Sequence, residues 1–348
     1  MSRKNTTSIK LPDRQLAHYT VQLIVRFQLH LLVLLCGLHG QLLAMDFEQI
    51  QVSDDHGAPL VIDHVRVLSV FHLFTTEFNN LPMVELSGLA WSEDEQLLYA
   101  INDRGSVFHL RPVFDETGVN DVQLVDAYQL RSQSGSELSY PWSDSEGLYL
   151  RHGTNGIAGD DELLISFENR PRLQWHRSDG AFLRQESLPG WLTDRATYHR
   201  RGKALESVAI HPDYGVITAP EYPLAEADWN ELTIYRANGK ALVAERDNDR
   251  DFALCAIEVM PDGRLLALQR RHSLLAPTWT TRLEILSPAE GNRLEREQVA
   301  EIVIGSSRLP IDNYEGLTRH RDNRYFMISD DNGHFIQQTL LVYFELID

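Results

Sequence analysis

The sequence predicts an all-β chain, a β-propeller of five or six blades behind an N-terminal signal segment. Three observations carry that prediction. A hairpin-like unit recurs along the chain, the intervals between its copies leave room for further strands, and helical periodicity is scarce after the leader. A doubly wound α/β fold needs a helix of roughly ten residues or more between successive strands, and no repeated one is found.

The chain begins with five bases, Arg3, Lys4, Lys10, Arg14 and Arg26, against the single acid Asp13 within residues 1–44. An apolar core follows from Leu29 to Leu38, and Gln41-Leu42-Leu43-Ala44 stands where a cleavage point would lie. This is the layout of a secretory signal peptide, although the leader is long and Leu42 fits poorly where a small residue is usual. The apolar run is short for a spanning helix on its own, so an uncleaved membrane anchor is the second reading. Leu35 before Cys36 speaks against a lipoprotein. Residues 1–44 are therefore expected to be a signal peptide or anchor and residues 45–348 one propeller domain, periplasmic or secreted and monomeric.

Formal net charge is -18, and it becomes -22 once residues 1–44 are removed. A field of that sign repels phosphate backbones, which excludes nucleic acid as the expected partner and favours cations. With Cys36 in the leader, Cys255 is the only cysteine of the mature chain, so neither an intramolecular disulfide nor a thiolate zinc cluster can form. Cys255 lies in the apolar run from Phe252 to Ile257 and reads as a small core residue.

Val61 to Phe74 alternates apolar and polar residues, as one long strand or two short ones would. The first copy of the unit runs from Glu85-Leu86-Ser87-Gly88-Leu89 through a polar turn to Leu97-Leu98-Tyr99-Ala100-Ile101 and ends in Asn102-Asp103-Arg104-Gly105. The second pairs Asp144-Ser145-Glu146-Gly147-Leu148 with Glu162 to Arg170, and the third pairs Ala204-Leu205-Glu206-Ser207-Val208 with Val216 to Glu221. A fourth, Cys255 to Met260 with Arg264 to Arg270 across Pro261-Asp262-Gly263, keeps the hairpin but loses most acids. The fifth joins Ile311-Asp312-Asn313-Tyr314-Glu315-Gly316-Leu317 to Tyr325 to Asn332.

Glu85, Glu146 and Glu206 are 61 and 60 residues apart, and the 109 residues from Glu206 to Glu315 are divided by the fourth copy. Strand-like segments such as Arg172 to His176, Leu232 to Tyr235 and Arg282 to Leu286 fill the intervals, giving about four strands per unit. The N-terminal strands could supply or complete a sixth blade, so the expectation leans from five towards six. Gln337 to Leu346 is the candidate for closing the ring.

In each copy a Glu precedes the first strand and an acid ends the second. Antiparallel pairing puts both at one end of the sheet, so Glu146, Glu206 and Glu315 should converge with Asp103, Glu168, Glu221, Asp330 and Asp331 at one mouth of an axial channel. Carboxylates so crowded cannot all stay ionised without a counter-charge. A hard cation such as calcium, which takes six to eight oxygens, is one solution. Pairing with Arg104, Arg170, Arg270 and Arg271 beside the same strand ends is the other. A Glu-Gly before a strand can also be a plain turn, but turn geometry asks for Gly, Asn or Asp and does not require Glu at the same place each time. His109, His152, His176 and His211 show no metal-ligand spacing, and Ser87 lacks the Gly-x-Ser-x-Gly elbow.

Leu86-Ser87-Gly88-Leu89-Ala90, Asn102-Asp103-Arg104-Gly105, Ser145-Glu146-Gly147-Leu148, Ser166-Phe167-Glu168 and Leu205-Glu206-Ser207-Val208-Ala209 follow one another as they do in a known family. Together with Asp312-Asn313-Tyr314-Glu315-Gly316-Leu317 and Ser329-Asp330-Asp331-Asn332, this succession resembles the phytase-like family, "esterase-like activity of phytase", over about residues 80 to 346. The resemblance implies an exported propeller that hydrolyses a phosphate or carboxylic ester, similar in architecture to calcium-dependent propeller phytases and lactonases. The chain departs from the family pattern at Gln269-Arg270, where Glu-Arg is usual, and at Arg201-Gly202-Lys203, which lacks an Asn.

The resulting expectation is a calcium-bearing acidic site holding a small anionic or ester substrate. Glu146, Glu206, Asp312, Glu315, Asp330 and Asp331 are the candidate metal ligands. Arg104, Arg170, Arg270 and Arg271 are the candidate substrate-binding cations, and Glu168 or Glu221 is the candidate general base. A metal-stabilised binding module without activity and a calcium-dependent lactonase are the alternatives.

Overall fold

The computed structural model describes residues 47–74, 76–199, 203–246, 251–273, 278–303, 308–334 and 336–348. The leader, with its Leu29 to Leu38 core, and Arg201-Gly202 lie outside the described residues. Asp46–Asp348 forms one compact unit.

Five blades, each with four antiparallel strands at its centre, follow one another along the chain, one for each sequence repeat. Blade 1 is Leu86–Ser92, Leu97–Asn102, Ser106–Phe114 and Val119–Gln129; blade 2 is Ser145–Arg151, Glu162–Phe167, Arg172–Arg177 and Phe182–Gln185. Blade 3 is Leu205–His211, Gly215–Pro220, Glu231–Arg236 and Ala241–Glu245; blade 4 is Ala253–Val259, Leu265–Ser273, Thr278–Pro288 and Arg293–Val303. Blade 5 takes Asn313–Arg321, Arg324–Asp330 and Thr339–Leu346 from the C-terminal end and its fourth strand, Val65–Leu73, from the N-terminal end, with the short strands Glu48–Gln49 and Val61–Ile62 pairing outside it. The ring thus has five blades, the smaller of the two expected numbers. The N-terminal strands complete the fifth blade because Val65–Leu73 supplies the partner that Thr339–Leu346 lacks. Blades 3 and 4 are further joined at their outer edges, where Val243 and Ala244 pair in parallel with Arg293 and Leu294.

The first strand of every blade faces a narrow axial channel lined by Ser87, Gly147, Ser207, Cys255 and Gly316 among others. Small residues are required here because neighbouring inner strands almost touch. A Cβ at Gly88 would stand 2.6 Å from the Glu146 carbonyl oxygen, and one at Gly147 would stand 2.7 Å from Ser207 Cα. Hydroxyl groups bind blade to blade at the same level: Ser87 Oγ donates to Ser145 O at 2.8 Å and Ser145 Oγ to Asn102 O at 2.6 Å.

Apolar side chains fill the spaces between blades. Ile101 and Val107 meet Ile165 and Phe167 between blades 1 and 2, and Leu164 and Trp175 meet Leu205 and Tyr235 between blades 2 and 3. Leu268 and Leu283 meet Tyr314, Tyr325 and Met327 between blades 4 and 5. Between blades 5 and 1 the contact is aromatic, with His320 stacked on Phe114 at 4.6 Å and edge-on to Trp91 at 4.7 Å. At one end of the channel a cavity of about 320 Å³ is lined by Trp91, Tyr149, Arg151, Glu258, Arg319 and His320. The acids of the repeats gather at the other end.

Candidate functional site

A backbone irregularity at one position of every blade builds the site. Ladder pairing between the first and second strands skips between Leu86 and Gly88, Ser145 and Leu148, Leu205 and Ser207, Leu254 and Ala256, and Tyr314 and Gly316. These are β-bulges, which re-aim side chains and end regular pairing. The first residues released are Ser87, Glu146, Glu206, Cys255 and Glu315, with Gly147 released beside Glu146 in blade 2. The residues that pair just before the bulges are Asn102, Phe167, Pro220, Gln269 and Ser329, so the next residues, Asp103, Glu168, Glu221, Arg270 and Asp330, form a second ring above the first.

Of these ten positions seven carry an acid and one, Arg270, carries a base. Blade 4 supplies Cys255 and Arg270 in place of a Glu and an acid. Blade 1 supplies Ser87, so the counterpart of Glu146 is Ser87, and Glu85 lies two residues earlier. Asp144 and Asn313 occupy that same earlier position in blades 2 and 5.

Two sets of three carboxylates bring a ligand oxygen each to within 4.8 Å of one another: Asp103, Asp144 and Glu146, and Glu146, Glu168 and Glu206. Glu146 belongs to both. Burial, reinforced by neighbouring carboxylates, pushes Asp103, Glu146 and Glu206 well above the ordinary carboxylate range. Burial raises Glu168 to about 8 against the pull of Lys203, and raises Asp330 to about 8 with help from Glu315. Asp103 Oδ1 and Glu206 Oε2 are buried and accept no hydrogen bond. Buried oxygens normally have partners, so these two mark where a positive charge is missing.

The other side of the ring has its positive charge built in. Arg270 Nη1 donates to Glu315 Oε1 and Asn313 Oδ1, while Nη2 donates to Glu221 Oε1 at 3.1 Å and stands 3.7 Å from Glu206 Oε1. Burial opposes the charge on Arg270, but Glu315, Glu221 and Glu206 hold it protonated. Lys203, immediately before blade 3, places Nζ 2.9 Å from Glu221 Oε2.

The remaining sequence candidates each have partners of their own. Asp312 turns away from the mouth: Gln337 Nε2 and the Gln338 backbone N–H donate to its two oxygens at 2.9 and 2.8 Å, which fastens the loop before Thr339–Leu346. Asp331 accepts from the backbone N–H groups of Glu85 and Gly333 and from Thr339 Oγ1, a loop-holding role of the same kind. Asp330 accepts from Asn313 Nδ2 at 3.2 Å and Asn332 N at 2.6 Å. Arg104 pairs with Glu85 at 2.6 Å on the rim, and its side chain is 49% exposed. Arg170 is exposed and lies over the Trp142 ring at 5.0 Å. Arg271 lies over Phe252 and reaches Glu301 at 4.0 Å, away from both acid sets.

Sequence reasoning misses Asp144, Asn313 and Lys203. A usable signal for the first two is the shared spacing of Asp144-Ser145-Glu146-Gly147 and Asn313-Tyr314-Glu315-Gly316. Lys203 has no such marker, because it leaves regular structure before it reaches the mouth.

The family described as phytase-like, esterase-like activity of phytase, matches residues 82–333. The chain belongs to that family. In this phytase-like chain the matched span takes in all five bulges and both acid sets. No curated protein matches it. Among solved structures it is similar to a luciferin-regenerating enzyme at 10% identity and a TM-score of 0.41, covering 79% of this chain and 94% of that one. It is also similar to the gluconolactonase XC5397 of Xanthomonas campestris at 11% identity and a TM-score of 0.37, covering 86% and 96% respectively.

Proposed function

We propose that the phytase-like chain is an exported ester hydrolase whose acidic mouth holds calcium, and that its substrate is an anionic, phosphate-type ester. The observation that carries this reading is the pair of carboxylate sets sharing Glu146, with Asp103 Oδ1 and Glu206 Oε2 buried beside them and lacking any donor. The donors on offer are carboxylate oxygens only, which suits a hard divalent ion and argues against zinc or copper. Asp103, Asp144, Glu146 and Glu206 would hold it, with Glu315 and Asp330 adjoining and Glu168 left beside it. When bound, such an ion polarises the ester oxygen and makes a nearby water more acidic.

The chain's own groups carry the rest. Glu168 accepts the Ala204 backbone N–H on Oε1, at 3.1 Å, and serves as the base that takes the proton of the attacking water. Glu221 suits that role less well because Arg270 and Lys203 each occupy one of its oxygens. The water oxygen forms the new bond to phosphorus, the ester oxygen leaves with the bonding electrons, and the proton held on Glu168 returns to it. Lys203, with its side chain 38% exposed, and the rim guanidinium groups of Arg104 and Arg170 receive the negative charge of the substrate. Cations at the entrance favour a phosphate-type ester over the lactone reading, which calls for an apolar wall.

The test is to strip metal with a chelator and assay phosphate esters, carboxylic esters and lactones with and without calcium. Calcium-dependent turnover with phosphate esters leading is the expected result. Faster turnover of lactones would replace the substrate assignment. A calcium-raised melting temperature with no turnover of any class would leave a binding module, and no response to calcium at all would remove the cation.

A further inference from the structure

We propose that the loop ahead of blade 2 carries a ring-binding subsite, the indole of Trp142 with the guanidinium of Arg170 over it, and that the ester hydrolysed at the mouth is a monophosphate whose alcohol part bears an aromatic ring. This rests on the hydrolase reading above and specifies the group that leaves.

The subsite is built from the same two segments as the acids beside it. The Glu168 backbone N–H donates to the Asp144 carbonyl at 3.0 Å, and Asn169 donates to Asp144 Oδ2 from its backbone at 3.1 Å and from Nδ2 at 2.5 Å. The chain before Asp144 therefore runs beside the chain after Glu168. Two residues further out on each, Trp142 and Arg170 meet, with the guanidinium 5.0 Å from the ring centroid. Two residues of chain span at most about 7 Å, so the Trp142 backbone stands within a small substrate's length of the acids. That backbone is fixed. Trp142 N–H donates to Ser139 O at 2.8 Å, Arg172 Nη2 donates to Trp142 O at 2.5 Å, and Arg172 itself is buried over the Phe167 ring at 3.7 Å. The indole is nevertheless 50% exposed, and Tyr140, two residues earlier, is 74% exposed. Among the described residues no carboxylate pairs with Arg170, which leaves its charge for a phosphate. Indole and guanidinium are both flat and delocalised, surfaces on which an aromatic ring stacks and an alkyl chain gains less. The step is the one given above: the water oxygen bonds to phosphorus, and the ring-bearing alcohol leaves with the P–O electrons and the proton held on Glu168.

Benzyl phosphate and ethyl phosphate, whose alcohols are close in acidity, test the assignment with the full chain in calcium. In the wild type kcat/KM should favour benzyl phosphate by about tenfold, mainly through KM, as expected for one ring stacked on an aromatic side chain. Trp142→Phe should keep most of that preference and Trp142→Ala should abolish it; Trp142→Leu, which keeps bulk without an aromatic face, serves where Trp142→Ala does not fold. Equal kcat/KM for the two esters in the wild type, or a preference that Trp142→Ala leaves unchanged, overturns the proposal, and turnover of both esters then leaves the hydrolase reading standing. No turnover of any ester removes the hydrolase reading and the substrate assignment with it. The subsite is then decided by calorimetry with benzylphosphonate, which is not hydrolysed: binding weakened about tenfold by Trp142→Ala supports it, and equal or absent binding overturns it.

Discussion

The two sides of the channel mouth are built from the same backbone and solve the same electrostatic problem in opposite ways. On the side of blades 3 to 5, Glu206, Glu221 and Glu315 surround Arg270, with Lys203 on Glu221, and these two internal cations meet most of the negative charge. On the side of blades 1 and 2, no ion pair reaches Asp103, Asp144 or Glu146 among the described residues, and burial pushes all three upward, with Asn169 and the charges of Lys203 and Arg195 pulling Asp144 back. A buried, hydrogen-bonded ion cluster is rigid but closed to ligands, whereas buried acids without a partner are a source of instability that a ligand can relieve. Blade 4, the repeat that departs most from the others, is what makes the ring asymmetric: its Cys255 and Arg270 stand where the remaining pattern would put two more acids.

Removing the internal cation should break the comparison most forcefully. Arg270→Met leaves Glu221 and Glu315 buried without their partner and should cost about 3–5 kcal/mol, read by urea denaturation at pH 7. A loss below about 1 kcal/mol would mean that the two sides do not differ as described.

Matched carboxamide substitutions sharpen the same contrast with smaller effects. In the absence of metal, Glu146→Gln replaces a destabilised carboxyl and should raise stability by about 1 kcal/mol, while Glu315→Gln weakens the cluster around Arg270 and should lower it by about 1–2 kcal/mol. Glu146→Gln should also weaken calcium binding by at least about tenfold, since it withdraws a charged ligand. Equal signs for the two stability changes would contradict the division.

The smallest effect comes from the other end of the channel, where a single buried acid, Glu258, is only partly compensated. Glu258 faces Arg319, Tyr149 and Tyr325, and burial lifts it to about 8 even though the Arg319 charge and backbone N–H pull it down. The unfolded chain releases this proton near 4.5 and the folded chain near 8, so this contribution to stability is complete below the lower value and is lost as pH rises through the upper one. Glu258→Gln should therefore gain about 1 kcal/mol at pH 9 and nothing at pH 4, measured by thermal melts across that range. A pH-independent change would show that Glu258 is charged throughout.

Much of the fold is legible in the chain because a propeller repeats its local grammar. Alternating apolar runs, a polar turn and an acid at the second strand's end recur often enough to define five hairpins. The site is less legible, and the reason is the bulge. Counting 61 residues back from Glu146 leads to Glu85, but the skipped pairing sets Ser87 at the mouth, a two-residue offset that no apolar pattern encodes. Asp312 and Asp331 look like ligands because they flank the best-kept motif, yet loop backbone N–H groups need acceptors as much as a cation does, and here they take them. Lys203 is invisible as a site residue because it lies outside the strands that carry the repeat, and only the fold brings it to Glu221.

The way blade 5 is completed has a consequence for how the protein comes into being. Arg66 and Glu345 meet at 2.7 Å across a separation of 279 residues, because the earliest long strand and the last one share a sheet. Val65–Leu73 must wait with an open edge while nearly the whole chain is made, and only the final residues give it a partner. Closure is therefore a late, long-range step, and the mouth between blades 5 and 1 exists only once it has occurred. A chain stopped short of Thr339 would hold every acid of both carboxylate sets and still lack the ring that brings them together.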